Sequence, residues 1–267
     1  MLQQEPTSIQ IDPRRYLTLV HGEAGVGKTS WAQQIPGHYF MITESGTEGV
    51  RVFGDIILTW DDFLEKGTEL VEAQAKGFEG QREVTTIVID TYEALWERCG
   101  EWVCKHVVFT EKGVKQHFDR IDDIPYGKGY KEVSKILIGK LQKLLLLGFG
   151  IVLLSHTKER SVTWGGQTFS SYEPNLSPSA AQAIVDACGA VGHFVIEETI
   201  KKGADGLPGQ TEIGRWMYWQ KQFLRVSKHR LDGFPARLPL PKGCGYETYV
   251  TAFQNTLAHK ETETGNT

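Results

Sequence analysis

The sequence predicts an α/β domain: a mostly parallel sheet flanked by helices, with an antiparallel extension toward the C-terminus. Three observations carry this. Gly22-Glu23-Ala24-Gly25-Val26-Gly27-Lys28-Thr29 fits the spacing G-x-x-x-x-G-K-[ST] and lies between an apolar run and a helix-compatible segment. Short β-branched or apolar runs alternate with longer segments of helical periodicity, as parallel strands joined by crossover helices do. After residue 160 the alternation gives way to Ser-, Gly- and Pro-rich stretches that separate two further strands.

The elements follow in order. Residues 1–13 form a polar lead-in ending at Pro13. Tyr16 to Val20 reads as a buried strand, and Ser30 to Ile35 as the first turns of a helix stopped by Pro36-Gly37. Tyr39 to Ile42 is a second strand, and Asp61 to Phe78 is amphipathic enough for a helix. Val84 to Asp90 is β-branched and gives the strongest strand signal in the chain. Residues 92–107 place Ala, Leu, Trp and Val at helical spacing. Residues 108–130, with Gly113, Pro125, Gly127 and Gly129, predict a surface excursion. Val133 to Leu147 is a helix, Gly148-Phe149-Gly150 a turn, and Gly150 to Leu154 a fourth buried strand. Ser161 to Ala180 reads as a loop or irregular hairpin, and Ser179 to Ala187 as a short helix. Gly192 to Thr199 and Arg215 to Ser227 read as strands joined by the turn-rich stretch 201–210. The expectation is one domain over 1–267: a core at about 13–160, a strand extension at about 161–250, and a frayed polar tail at 251–267.

With 267 residues the chain can bury a sizeable core, and 40% hydrophobic with 23% charged content is ordinary for a globule. A net charge of −4 excludes bulk attraction to nucleic acid or membrane, so any DNA contact must come from a local basic surface. The start is polar and acidic rather than basic then apolar, and the run Leu144 to Leu154 includes two glycines and is too short for a bilayer. A cytoplasmic location without membrane partners is expected. Cys99, Cys104, His106 and His117 can be drawn as a zinc cluster but lack regular ligand spacing; inert thiols in a reducing compartment are the competing reading.

The glycine loop points to a nucleoside triphosphate. Its glycines let successive backbone amides of residues 22–29 face phosphate oxygens, and the helix opening at Ser30 adds its positive end. Lys28 would reach the β- and γ-phosphates, and the Thr29 hydroxyl would take a place on Mg²⁺. Asp90 ends its strand as a carboxylate that a metal ion would satisfy; capping of the following helix is a compatible alternative. Glu44, just past the second strand, is a candidate to orient the attacking water, with Glu48 and Glu93 as rivals. His156, at the end of the fourth strand, is placed to touch the γ-phosphate. Lys158 and Arg160 share a face if extended and could complete a neighbouring subunit's site, or form a plain surface pair.

These motifs in this order resemble the RecA-like P-loop ATPase core, and more narrowly the phage-encoded Sak-type single-strand annealing ATPases. The residues that carry the resemblance are Gly22 to Ser30, Ile42-Thr43-Glu44-Ser45-Gly46, Thr86 to Thr91, Tyr126-Gly127-Lys128-Gly129-Tyr130, Leu153-Leu154-Ser155-His156, and Val226 to Pro235. It covers roughly residues 15–240 and lends weight to Glu44. It departs from the pattern at Ile42 and Thr43, where such proteins often carry an Asp before this Glu. The resemblance implies ATP and Mg²⁺ as cofactors, single-stranded DNA and a single-strand-binding protein as partners, assembly into a ring or filament, and a bacterial host cytoplasm if phage-encoded. It implies that Ser161 to Ser179 lines a DNA path, where Trp164, Phe169 and Tyr172 could stack on bases. Phosphate contacts would come from Lys158, Arg160 or the cluster Lys221, Arg225, Lys228 and Arg230. Two other classes remain open: a nucleotide-binding regulator or assembly protein with little turnover, and, more distantly, a small-molecule kinase.

Overall fold

A computed structural model describes residues 12–44, 51–111, 113–202 and 208–264. Strand β1 (Leu17–Gly22) is buried along its whole length and feeds the glycine loop, after which α1 (Lys28–Ala32) begins at Gly27. β2 (His38–Ile42) and the short, exposed β3 (Gly54–Ile56) follow. Thr59 and Asp62 close a capping box at the start of α2 (Trp60–Ala75), which satisfies amides the helix cannot pair itself. The β-branched run forms β4 (Thr86–Asp90), leading into α3 (Tyr92–His106). The predicted excursion holds a small hairpin, β5 (Phe109–Glu111) and β6 (Val114–Gln116), and two 3₁₀ turns before α4 (Lys128–Leu146).

The stretch expected to be a loop or irregular hairpin is a regular one. β7 (Gly150–Trp164) runs on without a break past His156 and pairs antiparallel with β8 (Gln167–Pro174), from Thr157↔Pro174 to Trp164↔Gln167. α5 (Pro178–Ala187), β9 (Ala190–Lys202), β10 (Pro208–Tyr218), β11 (Lys228–His229), β12 (Arg237–Pro239) and α6 (Gly245–Thr264) complete the chain.

The sheet order is β12-β10-β9-β1-β7-β4-β2-β3. The strands from β9 to β3 are mutually parallel, and β10 and β12 extend the β9 side antiparallel. Two apolar layers cover the faces. One packs α2 to α5 against the sheet through residues such as Phe63, Leu95, Leu137 and Ile184. The other centres on Trp31 of α1, which meets Phe194, Trp219 and Tyr249 edge-on or tilted.

Two expectations are corrected here. The segment 219–227 is not the continuation of a strand: β10 ends at Tyr218, and the chain crosses to β8, where the Tyr172 N–H donates to the Leu224 carbonyl and the Val226 N–H donates to the Tyr172 carbonyl. The residues from 251 to 264 do not fray. They form most of α6, because Tyr249, Ala252, Phe253 and Thr256 recur at helical spacing and are buried. β9, the first strand of the C-terminal extension, pairs parallel with β1 in the same sheet.

Candidate nucleotide site

The loop between β1 and α1 requires its glycines for separate reasons. A β-carbon on Gly22 would come within 2.5 Å of the Phe194 carbonyl of β9, so only glycine lets the two strands close. Gly25 and Gly27 have φ of 76° and 110°, a region L-residues rarely adopt. Lys28 is buried at the start of α1, and its Nζ donates to the carbonyls of Gly22 (2.7 Å) and Glu23 (3.0 Å), so the ammonium sits inside the loop. Burial lowers the Lys28 pKa, opposed first by Asp90 and then by Glu93 and Glu44.

Strand order brings Asp90 to this loop. β7 alone lies between β1 and β4, and Asp90, the last residue of β4, accepts at Oδ2 from the Thr29 hydroxyl at 2.9 Å. Burial raises the Asp90 pKa; the Thr29 hydrogen bond and the Lys28 charge oppose it. A hydroxyl and a nearly dry carboxylate meeting beside a buried ammonium are a donor set that suits Mg²⁺ on a phosphate chain. Thr29 and Asp90 are the residues that would hold the ion.

Around this point lie the other candidates. Glu44, exposed beyond β2, accepts at Oε1 from the Thr91 hydroxyl at 2.7 Å. His156, level with Gly22 on β7, directs both its backbone N–H (2.8 Å) and Nδ1 (2.7 Å) to Oε1 of Glu93. That carboxylate fixes the proton on Nδ1 and, through this bond, raises the His156 pKa. Glu93, in the first turn of α3, is buried, and its Oε2 has no hydrogen-bond partner among the described residues. Ligating atoms of Glu44, Glu93 and His156 lie within 4.8 Å of one another. Glu93 thus enters as the carboxylate that orients His156, a role visible only once β7 lies beside α3. Glu48 lies outside the described residues, as do Ser45 and Gly46 of the resemblance.

The basic and aromatic candidates divide. Lys158 and Arg160 share a face as expected, but both turn to Glu173 of β8 in their own chain, at 3.4 and 3.8 Å. Trp164 is exposed at the hairpin tip and meets Phe223 edge-on, as does the half-buried Phe169. Phe223, 61% exposed, is a member of this cluster that no sequence motif announced. Tyr172 is not the free platform expected: its ring stacks on His193, which stacks on His21. Arg225 lies over Tyr218 and reaches Glu197 at 3.4 Å, so it too is engaged within the chain. Lys228 donates to the Asp186 carbonyl at 3.3 Å, and Arg230 is exposed. Among the described residues Cys99, Cys104 and His106 form no metal cluster with His117; Cys99, Cys104 and Cys188 are buried thiols. Burial pushes Cys99 and Cys188 up to about 12. No helix among the described residues is long and apolar enough to cross a membrane.

A phosphate-binding loop on β1, a carboxylate two strands away, and β7 between them define a P-loop nucleotide-binding domain. Residues 14–231 match the AAA domain family, and the chain belongs to it. The described fold is also similar to that of a KaiC-like protein from the hyperthermophilic archaeon Pyrococcus horikoshii. That likeness has 13% identity and a TM-score of 0.42, and covers 86% of this chain and 88% of the other. A comparison with curated proteins gives no match.

Proposed function

We propose that the chain binds and hydrolyses ATP with Mg²⁺ and couples this to single-stranded DNA in recombination or annealing. The observation that carries the nucleotide reading is the Thr29–Asp90 hydrogen bond beside the buried Lys28. Mg²⁺ would supply charge neutralisation along the phosphates. Lys28 contributes a cation already desolvated, which strengthens its pull on phosphate charge. Hydrolysis adds water across the terminal phosphoryl bond, giving ADP and phosphate. Glu44 orients that water and accepts its proton; Glu93 is tied to His156 and is the weaker claimant. His156, held by Glu93, presents Nε2 to the phosphoryl group and responds to its loss.

The DNA reading is supported by the hairpin. β7 is one strand from His156 to Trp164, so the catalytic edge and the Trp164–Phe169–Phe223 cluster are joined by one continuous strand. Exposed aromatic rings of this kind stack on unpaired bases irrespective of sequence. Lys221 and Arg230 are exposed and can meet phosphates. Assembly into a ring or filament, and a single-strand-binding protein as partner, belong to the same proposal. The cis pairing of Lys158 and Arg160 with Glu173 favours a second reading, a nucleotide-binding regulator with little turnover, because it withdraws both cations from a neighbour's site. ATPase rate with and without single-stranded DNA, measured beside particle mass, decides. Stimulation that disappears in Trp164→Ala/Phe223→Ala supports the DNA role. Tight ATP binding with no phosphate release and no DNA response refutes it.

A further inference from the structure

We infer that Arg215 is a second phosphate-binding cation of the nucleotide site, supplied from β10 by the same chain; this rests on the ATP reading above. The strand register sets its position. Met217 of β10 pairs with Phe194 of β9, which pairs with Gly22, so Met217 lies level with the last residue of β1. Arg215 is two residues further along, paired with Ile196, and so lies just beyond the carboxyl edge where the loop stands. Alternation puts Arg215 on the same face as Met217 and Trp219, the face packed against Val26 and Trp31. The side chain accordingly ends at the loop: a β-carbon built on Gly27 would lie 3.8 Å from Arg215 Nη1 and 3.9 Å from Leu240 Cδ2. Leu240 holds the strand there by donating its N–H to the Arg215 carbonyl at 2.8 Å.

Among the described residues no carboxylate takes up the charge on Arg215. Arg225 and Arg237, on the other face of this strand region, both pair with Glu197, at 3.4 and 2.8 Å. Arg215 is exposed and has no ion pair among the described residues; Glu198, on its own face, does not come within bonding distance. Lys28 approaches the loop from the Gly22 and Glu23 side, whereas Arg215 approaches at Gly27. The two cations therefore flank the loop amides. A planar guanidinium with its donors uncommitted suits bidentate contact with a phosphate.

Displacement of a fluorescent ATP analogue by ATP and by inorganic tripolyphosphate tests this in wild type, Arg215→Gln and Arg215→Lys. Gln keeps most of the stem, and circular dichroism checks the fold. Arg215→Gln is expected to weaken both ligands about tenfold, with Lys recovering part of the loss and the deficit shrinking at high salt. Unchanged affinity in Arg215→Gln overturns the inference while leaving the loop reading intact. Weakened ATP with unchanged tripolyphosphate also overturns it, since Arg215 would then touch the base or ribose. A wild type that binds neither ligand removes the nucleotide reading itself.

Discussion

Acid should destabilise this protein through two histidines buried beside the phosphate loop. His21, the residue before Gly22, and His193 of β9 are fully or almost fully buried and stack at 4.5 Å between ring centres. Two bonds hold His21: Nε2 faces the Val226 carbonyl at 2.7 Å and so carries the proton, and Nδ1 accepts from the Thr157 hydroxyl at 2.8 Å. Burial depresses His21 to about 4 and His193 to about 2. Both rings are neutral in the folded protein, whereas in the unfolded chain they take up protons below about 6.5. The unfolded state thus binds more protons as pH falls, and stability falls with it. At about pH 5 each histidine contributes a loss of about 2 kcal/mol relative to about pH 7.5. His193→Phe keeps a stacking ring between His21 and Tyr172 and removes one of the two titrating groups. Urea unfolding of both proteins at the two pH values isolates its share, since carboxylates and His229 cancel in the comparison. The wild type should lose about 2 kcal/mol more than His193→Phe between these pH values. A difference below about 0.5 kcal/mol, or of the opposite sign, refutes the assignment of a neutral, proton-excluding pair.

Lys28→Ala should abolish ATP binding and leave the fold intact; a fluorescent-ATP titration with unchanged affinity contradicts the site. Gly22→Ala drives a methyl group toward the Phe194 carbonyl and should lower stability by about 1–3 kcal/mol in thermal or urea unfolding. Glu93→Gln should bring the His156 imidazole back toward its ordinary pKa and slow turnover with ATP binding retained; an NMR titration of the ring, with its midpoint unmoved, counts against a positioning carboxylate. Trp31→Ala empties the centre of the second core and should cost about 3–5 kcal/mol, read by urea unfolding.

Much of the fold lay open in local pattern. The β-branched run ending at Asp90, the apolar run before Gly22 and the helical spacing of 133–147 each specify an element without reference to the rest. α6 was missed because its apolar residues are diluted by polar ones, and only their burial against the Trp31 layer reveals the stripe. β3 was missed because Gly54-Asp55-Ile56 is only three residues long, too short for an alternating pattern to show.

The sequence alone determined the phosphate loop, because glycine torsion and the lysine–threonine spacing are properties of eight consecutive residues. It also determined that Asp90 closes a strand and that Glu44 follows one, but the strand end it predicts at His156 is absent, because β7 runs on to Trp164. Only the tertiary structure decided which of these meet. Sheet order sets Asp90 against Thr29, seats His156 on Glu93, turns Lys158 and Arg160 inward to Glu173, and brings Arg215, nearly two hundred residues distant in the chain, to Gly27. The physical reason is that strand pairing fixes positions across the sheet by backbone hydrogen bonds, whose register no local pattern of side chains records.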